Sequence, residues 1–380
     1  MEFSCQKKDL QSGMALTERI VTTRSTLPII GNILFEAGKG GLKISANNLE
    51  IGIEIGIKAA VVKGGAILIG AKTLASLVAK LPDEEINFKL TEKGALQISY
   101  GESHFSVNTL PPDEFPALAK VKDGRTISIE PDSLVKMIKQ TIFSTSTSED
   151  KYVLNGALLD IGKSGMAGDS SNIRLISTDG YRLAKSGEKI SVESEKPFNV
   201  IVPAKALQEI LKILGSGEGK GEVKISLAED QISIKYDDVY LVSRLIQGQF
   251  PDYKQVLPKK TSTKLIINTR GLLESAERAA VIASGAANVV KFEFKNKNLH
   301  LLASTPDVGS INEKLEAEVK GKENFQIAFN IRLVTDVLKV IESGKVEVEF
   351  TDALGPGLIR PAGDENYLYI VMPIRTQEAA

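Results

Sequence analysis

The nearest approach to a nucleotide site in this chain is Gly65-Ala66-Ile67-Leu68-Ile69-Gly70-Ala71-Lys72-Thr73. A P-loop needs glycine, lysine and a hydroxyl residue contiguous, so that lysine and hydroxyl reach phosphate and magnesium from the first helical turn. Here Ala71 intervenes, and a shared helix start, repeated at Pro203-Ala204-Lys205 and Asn330-Ile331-Arg332, explains the string better than ATP chemistry. The run from Gly215 to Gly221 is read as a flexible helix-to-strand loop, because no helix N-terminus follows it to supply a dipole for phosphate. His104 and His300 sit in alternating strand patterns, and no Gly-x-Ser-x-Gly surrounds a serine. With Cys5 the only cysteine, a disulfide framework is excluded and no zinc-ligand spacing exists. No catalyst, cofactor or metal is expected. A reducing cytoplasm is expected, with neither export nor membrane span.

The elements that would carry any site repeat three times. Leu74, Leu77, Val78 and Leu81, then Leu207, Ile210, Leu211 and Leu214, then Val334, Val337, Leu338 and Ile341 each follow the i, i+3, i+4, i+7 spacing of a buried helix face. Before each lies an extended apolar segment (66–69, 200–202, 325–329) and after each an alternating strand (Ile86, Phe88, Leu90; Val223, Ile225, Leu227; Val346, Val348, Phe350). Earlier in each copy an amphipathic stretch leads to strands at 32–35, 156–161 and 289–294, and a second strand ends in turn chemistry at Ala46-Asn47-Asn48, Ser177-Thr178-Asp179-Gly180 and Ser304-Thr305-Pro306-Asp307. Each copy therefore reads helix, strands, helix, strands: an α+β domain. Proline and glycine collect at 110–124 and 248–258, giving expected domains of 1–122, 126–250 and 253–380.

The net charge of -1 rules out bulk attraction to nucleic acid, but its distribution is uneven. The expected helices (7–21, 71–81, 132–142, 204–214, 270–282 and 331–341) sum to about +6, leaving about -7 elsewhere. The cations are chiefly Lys7, Lys8, Lys72, Lys80, Lys136, Lys139, Lys205, Lys212, Arg332 and Lys339. If the helices of all copies face one way, a closed array is basic inside and holds phosphates without regard to base sequence.

Five strings in fixed order then carry a resemblance: Arg24-Ser25-Thr26-Leu27-Pro28-Ile29-Ile30-Gly31-Asn32, Tyr152-Val153-Leu154-Asn155-Gly156, Ser177-Thr178-Asp179-Gly180-Tyr181-Arg182-Leu183-Ala184, Phe250-Pro251-Asp252-Tyr253, and Tyr369-Ile370-Val371-Met372-Pro373-Ile374-Arg375. Together they resemble the bacterial DNA sliding clamps, the beta subunits of DNA polymerase III, over essentially the whole chain. The resemblance implies three clamp domains, each with two helices and two antiparallel sheets, and a head-to-tail homodimer closing a six-domain ring. It implies a non-catalytic processivity factor that encircles double-stranded DNA. The implied partners are the polymerase III catalytic subunit, the clamp loader and other clamp-binding proteins of replication and repair.

The partner-peptide groove implied by the resemblance comprises Leu154, Thr178, Gly180, Tyr181, Arg182, Leu183, Pro251, Val256, Leu354, Pro356, Ile370, Val371, Met372, Pro373, Ile374 and Arg375. The tail is expected to form an edge strand. DNA is expected at Arg24, Lys136, Lys139, Tyr152 and Lys205, the lysines from the helix charge alone; the dimer contact is expected at Lys72, Leu77, Phe105, Val107, Val281 and Ile282. Two departures stand out: Tyr181 is larger than the histidine often found there, and Thr376-Gln377-Glu378-Ala379-Ala380 extends past the usual end. A peptide-binding scaffold that never meets DNA would share the groove but not the ring.

Overall fold

The computed structural model describes residues 1–22, 27–121, 124–162, 170–190, 197–215, 221–258, 260–285, 287–295, 298–321 and 325–375. Arg24, the 216–220 part of the glycine-rich segment and the extension 376–380 lie outside these residues.

The first repeat holds β1 (Glu2–Gln6), α1 (Lys7–Thr17), β2 (Asn32–Gly38), β3 (Gly41–Asn47), β4 (Ile51–Ile57), β5 (Ala60–Lys63), β6 (Gly65–Gly70), α2 (Ala71–Val78), β7 (Glu85–Leu90), β8 (Ala95–Tyr100) and β9 (Ser103–Leu110). The central repeat holds β10 (Arg125–Ile129), α3 (Pro131–Thr141), β11 (Gly156–Ile161), β12 (Ile173–Thr178), β13 (Arg182–Glu188), β14 (Phe198–Pro203), α4 (Ala204–Gly215), β15 (Val223–Leu227), β16 (Gln231–Tyr236) and β17 (Val239–Arg244). The third holds β18 (Thr263–Asn268), α5 (Thr269–Ala283), β19 (Val289–Lys295), β20 (Asn298–Thr305), β21 (Gly309–Glu316), β22 (Glu318–Gly321), β23 (Phe325–Asn330), α6 (Ile331–Leu338), β24 (Lys345–Phe350), β25 (Gly357–Pro361) and β26 (Tyr367–Val371).

The chain packs as two compact units, residues 1–132 with 205–245, and residues 133–204 with 246–380, so both cut through the central repeat. Sheet order explains the cut. In the first unit the ladder runs β6-β2-β3-β4-β17-β16-β15-β10, and in the second β14-β11-β12-β13-β26-β25-β24-β18. Each ladder joins an opening quartet of one repeat to a closing quartet of the next. Two quartets lack this complement within the chain: β9-β8-β7-β1, where β9 meets β6 only through Leu110 and Thr109, and β23-β19-β20-β21, where β21 ends the sheet.

Alternation builds the cores. In β2, Ile33, Phe35 and Ala37 are buried, and Phe3 of β1 stacks on Phe88 of β7 with centroids 4.7 Å apart. The later helices start at asparagines: Asn268 accepts from the Gly271 amide and Asn330 from the Arg332 amide. Helices stop earlier than the apolar spacing suggests: α1 ends at Thr17, α2 at Val78 and α6 at Leu338. Lys80 lies in the turn after α2 and Lys339 at the C-cap of α6, so those two charges are not helical. Leu77 and Leu211 are only half-buried, and Ile213 takes a core position instead. The edge-strand expectation for the tail is also corrected, because β26 pairs with β13 on one side and β25 on the other. Among the described residues no helix is long and apolar enough to cross a membrane.

Candidate functional site: an apolar groove in the second unit

The residues expected to take a partner peptide gather on β13 and β26. Leu183 lies opposite Ile370 in this antiparallel pair. Both are buried, with Leu154, Leu158, Ile176, Ile201, Ile246, Phe250 and Tyr253, in one apolar cluster; Val153, Leu257, Leu358 and Leu368 are half-buried against it. Of the other expected lining residues, Val256 (46 % exposed), Leu354 (54 %), Tyr181 (65 %) and Met372 (42 %) leave apolar surface in water. Pro251 is exposed, and Pro356, Pro373 and Ile374 are half-buried.

Val371 is a correction to the expected lining. Strand alternation turns it to the opposite face of β26, where it packs with Tyr367, Tyr369, Phe329 and Phe350 in the core of the third repeat. Ile370, one residue earlier, lies in the cluster with Leu183.

The turn between β12 and β13 is braced from three sides. Gly180 has φ +94°, a conformation few side chains tolerate. The Asp179 carboxylate accepts from the Tyr181 and Arg182 amides at 2.9 and 3.1 Å, and the Thr178 hydroxyl donates to the Arg182 carbonyl at 2.6 Å. Lys151 donates to the Asp179 carbonyl at 2.7 Å and sits 5.0 Å from the Tyr181 ring centre. The Met372 amide donates to the Tyr181 carbonyl at 2.9 Å, and Ile374 to Ala328 at 2.8 Å, which fixes the tail.

Arg182, expected to meet a peptide, is occupied internally. Its guanidinium donates to Asp179 at 2.9 Å and to Asp336 of α6 at 2.6 Å. Burial opposes its charge, but Asp336, Tyr369 and Asp179 outweigh that and hold its pKa above the ordinary arginine value. Arg375 is exposed. The linker carrying Pro251 and Val256 is tied down by Tyr253, whose hydroxyl donates to Asp160 at 3.1 Å. Arg174 holds the same carboxylate at 3.0 Å, and burial beside Asp160 pushes the Tyr253 phenol up to about 12.

Leu158, Ile176, Tyr253, Lys151 and Asp336 were missed from sequence. The nearly continuous burial of β11 and β12 hides which face the first two would take. The contacts of Lys151 and Asp336 come from distant segments and leave no local signal.

The other expected residues are spread over both units. Lys139, Lys205 and Tyr152 are exposed, the last at 58 %; Lys136 is shared between Glu188 at 3.6 Å and Asp364 at 3.8 Å. Lys72 is exposed and Leu77, Val107 and Ile282 are half-buried, while Phe105 is 36 % exposed beside Tyr100 and Val281 is 67 % exposed. His300 contacts Asn312 at 3.1 Å on the neighbouring strand, and burial pushes the Cys5 thiol up to about 12, which keeps that thiol protonated. Among the described residues no group of three metal-ligating side chains converges.

Family models for the N-terminal, central and C-terminal domains of the DNA polymerase III beta subunit match residues 1–119, 128–252 and 254–375. The chain belongs to the beta sliding clamp family. A beta sliding clamp of Bacillus subtilis is 30 % identical over 99 % of this chain and 100 % of its own length, and one of Synechocystis is 30 % identical with 99 % of both covered. Among solved structures, the Bacillus subtilis sliding clamp superposes with TM-score 0.91 at 30 % identity, covering 99 % of both chains. The Pseudomonas aeruginosa clamp bound to griselimycin does so with 0.91 at 28 %, covering 99 % of this chain and 100 % of that one. As a member of this family the protein is a DNA sliding clamp, a non-catalytic processivity factor of DNA polymerase III.

Proposed function

We propose that two copies close head to tail into a ring around double-stranded DNA, which slides without sequence preference and tethers the polymerase III catalytic subunit through the groove of β13 and β26. The observation that carries this reading is the pair of uncomplemented quartets. Twice within the chain an opening quartet is completed by the closing quartet of the next repeat, through β4–β17 and β13–β26. The β21 edge of the third repeat and the β9 edge of the first are what remain. Pairing them between copies repeats the same join and hides both edges from aggregation.

We take the domains as 1–122, 126–250 and 253–380, a division into three that the family models over 1–119, 128–252 and 254–375 support. Lys139, Lys205 and Tyr152 are available for phosphate contact because they are exposed; Lys136 would first leave Glu188 and Asp364. The clamp loader and other clamp-binding proteins of replication and repair would present short segments to the same apolar floor and compete for it. A cytoplasmic protein fits the single buried thiol.

The test is topological. A loaded ring should stay on nicked circular DNA during gel filtration and leave when the circle is linearised. Equal loss from both would overturn encirclement, and retention on linear DNA would point to ordinary affinity.

A further inference from the structure

The second unit ties its two repeats together with a lysine where the first unit has a serine. On α3 the Thr141 hydroxyl donates back to the Met137 and Ile138 carbonyls, and on α1 the Thr17 hydroxyl does the same to Gly13 and Met14. In that common register Ser12 stands where Lys136 stands. The sheets beneath agree: the Gly187 amide donates to the Asn366 carbonyl across β13 and β26, and the Gly56 amide to the Asp238 carbonyl across β4 and β17, both at 3.0 Å. Lys136 reaches Glu188 of β13 at 3.6 Å and Asp364, in the turn before β26, at 3.8 Å. An ammonium on an alkyl stem therefore joins helix, strand and turn at this corner of the second unit.

At the same corner of the first unit, beside Ser12, lies a cavity of about 520 Å³. That is within the roughly 300 to 1,000 Å³ of sites that take a small ligand. Its floor is apolar, formed by the buried Ile55 and Ile57 of β4 and Ile213 of α4. Carboxylates line it from two elements, Asp9 on α1 and Asp237 with Asp238 in the turn between β16 and β17. Among the described residues no ion pair engages these three. Lys58, also in the lining, opposes them, so three carboxylates against one ammonium leave a formal charge of -2. A metal ion would need a shell of oxygen ligands, but among the described residues no three such acids converge.

We propose that this cavity binds an aliphatic diammonium ion, its stem on the isoleucines and its two ends at Asp9 and at the Asp237-Asp238 turn. The free ligand then makes between the first and central repeats the tie that Lys136 makes between the central and third. Its two charges match the -2 of the lining. An exposed ion pair alone is worth little, so the holding comes from burying the stem while both ends stay at carboxylates.

The probe is 1,5-diaminopentane, titrated at fixed ionic strength into the full-length chain with labelled isoleucine methyl groups. The Ile55, Ile57 and Ile213 methyls should shift saturably, and 1,5-pentanediol, equally long but uncharged, should bind at least about tenfold more weakly. Ser12→Lys, at an exposed helix position where lysine is a good helix former, should supply the ammonium from within and weaken the diamine at least about tenfold. Asp237→Asn with Asp238→Asn should do the same without upsetting the turn, because asparagine tolerates the φ of 52° at residue 237. No saturation in the unaltered chain, equal binding of the diol, or undiminished affinity in a folded variant overturns the proposal. Tighter binding of N-acetyl-lysine methylamide than of the diamine also overturns it, and would make the cavity a dock for a lysine of another protein.

Discussion

Single residues here show structural and binding roles competing for the same groups. Arg182 belongs to one of the family-like strings, yet its side chain is taken up by Asp179 and Asp336, so it braces the β12–β13 turn. The exposed apolar rim is where binding energy should come from. Met372→Ala combined with Leu183→Ala should remove polymerase and loader peptides together, each truncation costing about 2 kcal/mol or more; loss of one class alone, in fluorescence titrations of an intact dimer, would show separate sites. A second residue-scale expectation concerns Glu347, 8 % exposed on β24. Burial would raise its pKa, but hydrogen bonds from Lys264 and Arg360, at 2.7 and 3.1 Å, win and lower it. A carboxylate depressed in the folded state stabilises fully above its unfolded pKa, about 4.3, and loses that contribution as pH falls through the lower folded value. Urea midpoints should therefore separate the parent chain from Glu347→Gln most at neutral pH, with the gap closing in acid; a gap that widens in acid would contradict this account. Leu49, finally, has a φ of 74° and carries a left-handed backbone cost of about 1–2 kcal/mol. Part is returned by the freedom glycine gains in the unfolded chain, so Leu49→Gly should stabilise by roughly 0.5 kcal/mol in the same denaturation measurement.

At the scale of elements, the chain declared its repeats through apolar spacing; the strand at 223–227 is where alternation put it, and that at 156–161 where the correspondence between repeats did. Helix ends were less legible. Leu81 and Ile341 are buried although they lie beyond α2 and α6, so the i+7 apolar residue marks the core without requiring that the helix reach it. In α1 the Thr17 hydroxyl donates back to the carbonyls of Gly13 and Met14, and Val21, expected within the helix, lies beyond the turn at 18–20. The residues of the expected groove were legible as apolar, but their strand neighbours were not, because sequence does not say which neighbour of a strand is present. That omission placed β26 at an edge. With β13 on one side and β25 on the other, deleting 367–371 would expose two strand edges and strip Tyr367, Tyr369 and Val371 from the third-repeat core. Such a deletion should abolish the cooperative unfolding of the second unit in calorimetry, whereas removing 373–375 alone should leave it; survival of the transition in the larger deletion would make β26 dispensable.

For the whole molecule, the decisive arithmetic is three opening quartets and three closing quartets with only two joins inside the chain. A head-to-tail dimer supplies the missing joins, and the expected contact lies where β9 with Phe105 and Val107 meets the edge of β21 and the end of α5. Val281 is the cleaner residue to test. Ile282 is half-buried against the third-repeat core, so truncating it weakens the free chain, but Val281 is 67 % exposed and contributes little to folding. Val281→Ala should therefore leave the unfolding free energy of the separated chain within about 0.5 kcal/mol. If Val281 is an interface anchor, the same change should cost about 2 kcal/mol in association, near a thirtyfold rise in the dimer dissociation constant. Analytical ultracentrifugation across a concentration series reads that shift directly. A dimer equally tight with valine or alanine would put the join elsewhere than the end of α5, and weakened folding with unchanged association would return Val281 to the core.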